Sequence, residues 1–263
     1  NIVAMEVKNI SDIQKYTVAI YREINSELKQ NGSGVLFVFK GNHYLISAYH
    51  VLDLEEEQIQ IQNDPDERDI PHDDLDSFYA KGKNEFFHIN EDTKGVVFTA
   101  YLNEETGTPN FNEDTEFCFC TLSEEMVRRF MEIGKKFYSI ETKLHYETGE
   151  IKKIIVSGYP KYALKNDQEE YRSYLSERII NDNSFHDDLI RVSFENDKAY
   201  NNERNQNVNL PPYGIQGMSG GGIWGKKNDE YIPIGIIIKQ APVERYIEGY
   251  RIDQIFKKII SDT

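Results

Sequence analysis

Gly217-Met218-Ser219-Gly220-Gly221 constrains this chain more than any other stretch. It sets a hydroxyl in a run with very little side chain. Before it stands Leu210-Pro211-Pro212-Tyr213-Gly214, a loop that two prolines stiffen. A serine nucleophile needs such a setting, with its oxygen exposed and neighbouring N–H groups converging on one hole for an oxyanion. Glycine supplies the φ values and the close approach this requires. Taken alone, the run fits a tight hairpin equally well.

A second feature lies far upstream. Leu45-Ile46-Ser47-Ala48-Tyr49-His50-Val51 is a largely apolar strand that runs into a histidine. At the end of a strand, His50 is placed to face a cleft as a base near neutral pH. A lone histidine there reads as structural; paired with the later serine run, it reads as chemistry.

Three motifs in order, Gly32-Ser33-Gly34-Val35-Leu36-Phe37, Ile46-Ser47-Ala48-Tyr49-His50 and Gly217-Met218-Ser219-Gly220-Gly221, resemble the chymotrypsin-like (trypsin-fold) serine proteases, above all their bacterial intracellular members. Val156-Ser157-Gly158-Tyr159-Pro160 is similar to the Gly-Tyr-Pro near the start of the second barrel in many of them. The resemblance runs from about Thr17 to the C-terminus and is tightest at the His and Ser motifs. It implies an all-β fold of two antiparallel six-stranded β-barrels, with a linking helix, a C-terminal helix and the active site between the barrels. Residues 1–263 then form a single protease domain. Residues 1–135 make the first lobe, with His and Asp, and 136–263 the second, with Ser.

The same resemblance implies roles. His50 takes the proton of Ser219 as it attacks a peptide carbonyl, and a carboxylate holds the imidazole. In the family that carboxylate starts an apolar strand, which points to Asp114 before Phe117–Leu122; Glu116 stands where a small residue is usual. Asp92, before Gly95–Phe98, is the rival. The N–H groups of Gly217 and Ser219 bind the oxyanion. Tyr213 falls at the pocket floor, where an Asp selects Arg or Lys, so a P1 residue other than a basic one is expected. Ile238, Lys239 and Gln240 form the pocket edge that pairs with substrate backbone. In many secreted relatives an Asp before the nucleophile pairs with a freed N-terminus; Met218 stands there, so Asn1-Ile2-Val3 is not an activation terminus. Control then falls to loops, a fused domain or a regulatory partner.

Composition sets bounds. The chain has 263 residues and 39% apolar content, enough for a sizeable core. A formal net charge of −15 repels phosphates and argues against nucleic acid as a partner. No run of about 18 apolar residues indicates a membrane span, and the first residues lack the form of a signal peptide. Cys118 and Cys120 point in parallel on one strand face, are poorly placed to bridge, and read as buried small apolar residues. Secreted proteases of this fold usually carry several disulfides, so a reducing, cytoplasmic location is expected.

Along the chain, a strand is expected around Tyr16–Tyr21, followed by a polar turn ending at Asn31-Gly32. Val35–Phe39 and His43–Ala48 read as a hairpin about Lys40-Gly41-Asn42, with His43 structural. Residues 54–76 are strongly acidic and read as a solvated loop, since the EF-hand glycine is missing; His72 and His88 lack metal-ligand spacing. Val96–Leu102 reads as a strand, followed by a loop with Gly107 and Pro109. Ser123 caps a helix with Met126, Val127, Phe130, Met131 and Ile133 on its apolar side, ending near Gly134. Ile151–Ser157 opens the second lobe. Within residues 161–207, two segments read as ordered: Glu169–Ile180 and Asp188–Phe194. Ile232–Ile238 reads as a strand and Ile252–Ile260 as a closing amphipathic helix. Gly220–Lys226 mimics the start of a phosphate-binding loop, but Lys227 replaces the required Ser or Thr, and a polar turn follows.

The leading expectation is therefore a cofactor-free, metal-free serine endopeptidase acting on protein or peptide substrates. By analogy with similar bacterial proteins, it serves as an effector or activator in anti-phage defence. The alternative is a catalytically silent protease-fold binding module, which the irregular surroundings of Asp114 favour. An α/β-hydrolase esterase is disfavoured, because that fold places serine before histidine.

Overall fold

The computed structural model describes residues 7, 9–24, 27–52, 78–81, 86–88, 93–97, 101–102, 109–110, 116–140, 146, 148–151, 153–159, 174–179, 184–186, 188–193, 198–201, 206–209, 217–241 and 246–261. The acidic stretch, Asp92, Asp114, Tyr213 and the first six residues lie outside them.

Two antiparallel sheets carry the molecule, in the arrangement of the chymotrypsin-like double barrel. The first is built from β1 (Thr17–Ile24), β2 (Glu27–Phe39), β3 (Asn42–Ala48), β4 (Phe78–Lys81), β5 (Phe86–His88) and β6 (Thr93–Val97). A separate short pair follows, β7 (Tyr101–Leu102) with β8 (Pro109–Asn110). Then β9 (Phe117–Leu122) and β10 (Tyr138–Ser139) complete the first sheet, in the order β5-β4-β1-β2-β3-β9-β6, with β10 parallel to β2. The second sheet uses β11 (Lys153–Gly158), β12 (Tyr174–Ile179), β13 (Phe185–His186), β14 (Leu189–Ser193), β15 (Lys198–Asn201), β16 (Gln206–Asn209), β17 (Gly222–Lys227), β18 (Glu230–Ala241) and β19 (Tyr246–Arg251). Its order is β13-β14-β19-β18-β17-β11-β12-β15-β16. Among the described residues the sheets thus count eight and nine strands, because short pieces such as β10, β13 and β16 extend the main ladders.

Helix α1 (Tyr49–Leu52) is a single turn after β3. Helix α2 (Glu124–Glu132) begins as the sequence indicates, with the Ser123 hydroxyl accepting from Met126 N at 3.2 Å. Helix α3 (Ile252–Ser261) buries Ile252, Ile255, Phe256 and Ile259, a helical i, i+3, i+4, i+7 stripe. Its Phe256 lies 5.6 Å from Phe37 and 5.2 Å from Phe39, ring to ring, so the end of the chain clamps back onto the first sheet. No helix among the described residues is long and apolar enough to cross a membrane.

Two local expectations are corrected. The polar stretch before Gly32 is not a turn: β2 starts at Glu27, and its pairing with Tyr21–Ile24 overrides the weak strand propensity of those residues. Asn31 is the extra residue of a bulge, and its side-chain amide donates to Val51 O, pinning α1. Val96–Leu102 divides between two ladders: Val96–Val97 belongs to β6, on β9, and Tyr101–Leu102 pairs with Pro109–Asn110.

Buried apolar side chains of both sheets form one continuous core. Trp224, fully buried, lies 5.6 Å from both Tyr16 and Tyr138, and its Nε1 donates to Ser157 Oγ at 3.2 Å. Thr17 Oγ1 meets the same serine hydroxyl at 3.2 Å, so a buried polar knot joins first lobe to second. Lys135, after α2, donates to Thr17 O at 2.5 Å, Gln14 O at 3.2 Å and Tyr159 Oη at 3.1 Å. Cys118 and Cys120 are both buried, and burial pushes the Cys120 thiol up to about 12.

Ser33 is a junction between the lobes. Its N–H donates to Ser219 O at 2.7 Å, its hydroxyl donates to Gly217 O at 3.2 Å, and the same oxygen accepts from Tyr159 N at 2.9 Å. Ser47 Oγ in turn donates to Ser33 O at 2.7 Å. Backbone approaches this closely only where side chains are missing. A Cβ on Gly220 would lie 1.9 Å from Ser33 O and 2.2 Å from Ser47 Oγ, and φ there is +80°. One on Gly221 would lie 2.1 Å from Ser157 O. Gly220→Ala is therefore expected to destabilise the protein by about 3 kcal/mol or more, from left-handed strain plus overpacking. Chemical denaturation measures this, and a loss below about 1 kcal/mol would refute the close junction.

Candidate active site

His50 and Ser219 owe their positions to neighbouring strands of the first sheet. β3 delivers His50: its register with β9 sets Ala48 opposite Phe117, and Tyr49 N continues the ladder to Glu116 O at 3.0 Å. The Cys118 thiol supports the strand end by donating to Ala48 O at 3.5 Å. The short turn of α1 then lifts the imidazole out of the sheet, leaving it 35% exposed. β2, the partner of β3, holds Ser219 through the Ser33 bonds. The histidine strand and the serine loop are therefore fixed to one hairpin.

The serine loop is tied to the second sheet as well. Gly220 N donates to Ile237 O at 2.7 Å, Ile237 N to Gly221 O at 2.8 Å, and Gly221 N to Met218 O at 2.8 Å. Gly217 takes φ +90°, a value that favours glycine. Met218 is buried where it faces Gly158, at which an added Cβ would come within 3.0 Å of the Met218 Cβ. Between two tied ends, Ser219 stays partly open to solvent.

One side chain stands beside each of the two residues. Glu116 Oε2 lies 3.5 Å from His50 Nδ1. Gln240 Nε2 donates to Ser219 Oγ at 3.4 Å. The sequence singled out Gln240 only as part of a pocket edge. Glu116 it noted only as an oddity, a charged residue in a small residue's place. That oddity was the signal: one step before Phe117 in register, its side chain emerges beside the turn that carries His50. The distance exceeds hydrogen-bond range, and the carboxylate side chain is 46% exposed, so solvent screens the attraction.

The remaining sequence candidates divide clearly. Ile238 is buried, Lys239 exposed and Gln240 half-buried along β18. Asp114, Asp92 and Tyr213 lie outside the described residues, as does His72; only the backbone of His88 is described. His43 is half-buried, its ring edge-on to Phe137 with centroids 4.7 Å apart, and burial lowers its pKa, as suits a packed structural histidine. Gly220–Lys226 runs from the serine loop into β17, and β17 turns at Asn228–Asp229 into β18. A hairpin stands where a phosphate-binding loop needs a helix.

No family model and no curated protein matches this sequence. Among the solved structures that match is a thermostable serine protease from an extremophilic microorganism, at 12% identity and a TM-score of 0.54. The match covers 96% of this chain and 99% of that one. The described residues, with both sheets, thus share the fold of that serine protease.

Proposed function

We propose that this protein is a serine endopeptidase of the trypsin-like, bacterial intracellular type. The observation that carries the reading is the joint anchoring of His50 and Ser219 on one β2–β3 hairpin, with the serine in a glycine-rich loop fixed at both ends. Ser219 attacks the peptide carbonyl, and His50 takes its proton and later returns it to the leaving amine. The N–H groups of Gly217 and Ser219 receive the oxyanion; losing one such donor typically costs about 100- to 1000-fold. Residues 1–135 supply the base and acid, and 136–263 the nucleophile.

Asp114 is the carboxylate that the resemblance assigns to orient His50, with Asp92 as its rival. Glu116 serves as an outlying negative charge: a screened pair of this exposure is worth under about 1 kcal/mol. Tyr213 at the pocket floor favours a P1 residue without a positive charge, and the edge at Ile238, Lys239 and Gln240 pairs with substrate backbone. The burial of Cys118 and Cys120, the two cysteines of the sequence, as small apolar residues supports a reducing compartment, which we take as the cytoplasm. Control by a regulatory partner or fused domain follows from Met218, which offers no charge for an activating terminus to pair with.

The first test is labelling by a fluorophosphonate, which reports a competent nucleophile. The parent is expected to label, and Ser219→Ala and His50→Ala to lose the label. A folded parent that never labels would favour the silent binding module. A peptide-library profile is expected to lack Arg and Lys at P1; dominance of either would remove the role given to Tyr213. On a peptide from that profile, Asp114→Asn is expected to lower kcat by about ten-thousandfold and Glu116→Gln by no more than about fivefold. The reverse ranking would move the orienting role to Glu116.

A further inference from the structure

We propose that Gln240 caps the nucleophile: its side-chain amide holds the Ser219 hydroxyl in the resting protein and must leave before an acyl group reaches that oxygen. The inference rests on the reading of Ser219 as nucleophile and adds a residue that limits access to it.

The cap is built by the strand. β18 pairs with β19 in register up to Ile237 opposite Gly249, then Lys239 stands opposite Glu248 and Gln240 opposite Ile247. Ile238 is thus the extra residue of a bulge, and bulges re-aim the side chains beyond them. Just before it, Ile237 is bonded through both its N–H and its C=O to the serine loop. The backbone of β18 is therefore locked to the loop, and the re-aimed Gln240 side chain reaches Ser219 Oγ.

A hydroxyl offers one proton and two lone pairs. If the proton goes to His50, attack needs a lone pair, and the Gln240 N–H engages one. The electrophilic centre must also come to bonding distance of Oγ, inside the volume the amide now fills. Donors that stabilise an oxyanion aim at the carbonyl oxygen, whereas this one aims at the nucleophile itself. At 3.4 Å the bond is long for N–H···O, so the cap slows entry severalfold and does not shut the site.

The test is the second-order rate of labelling by an alkyl fluorophosphonate. In that reaction Ser219 Oγ bonds to phosphorus, the P–F bond breaks, fluoride leaves and the hydroxyl proton passes to His50. The parent is compared with Gln240→Ala and with Gln240→Met, which keeps the length but has no donor. Thermal melting confirms that all three are folded. Both variants are expected to label about threefold to tenfold faster. Gln240→Met labelling at the parent's rate would overturn the hydrogen-bonded cap. Slower labelling of both would overturn it in favour of a donor that assists the reaction. If the parent and both variants label at one rate, the cap fails and the nucleophile stands; if none labels, the nucleophile reading falls and the cap with it.

Discussion

The contact on which the site depends is the bond from Ser33 N to Ser219 O. It joins two sheets whose strands are otherwise separately paired, and it does so at the residue that carries the candidate nucleophile. Ser33 multiplies the link: its hydroxyl reaches Gly217 O and receives Tyr159 N, while Ser47 holds Ser33 O. Each bond spans the lobes or supports one that does. Such an array needs backbone against backbone, and the glycines at 32, 220 and 221 make that approach possible. Met218, facing Gly158, closes the gap on the apolar side.

The rest of the molecule holds that junction in register. Trp224, Tyr16 and Tyr138 pack where the lobes and the linking segment meet, and the Trp224 indole N–H and the Thr17 hydroxyl converge on Ser157. Lys135 binds main-chain carbonyls of the first lobe and the Tyr159 hydroxyl at once. Helix α3 returns Phe256 to Phe37 and Phe39. The site is thus built on rigid strands fixed from several sides, as positioning of reacting groups demands.

Much of this was legible from residue order. The hairpin about Gly41, the cap at Ser123, the apolar stripe of α3 and the alternation of Leu189–Ser193 all follow local periodicity, and each forms as read. The reading failed where pairing overruled propensity. Asn31-Gly32 has the composition of a turn, yet it continues β2 because β1 runs alongside and the mismatch is absorbed as a bulge. Val96–Leu102 looks continuous, yet Tyr101 finds a different partner from Val97.

Most of the elements, and the His and Ser motifs, can be read from residue order, because strand alternation, caps and glycine-rich runs are local properties of the chain; the double-barrel architecture came from the resemblance those motifs carry. Which side chains stand beside the motifs depends on how the strands pair. Glu116 reaches His50 through the register of β9 on β3, and Gln240 reaches Ser219 through a one-residue bulge in β18. Register and bulges are properties of pairs of strands. A shift of one residue turns a side chain to the opposite face, and no local pattern in a single strand records the choice its partner imposes.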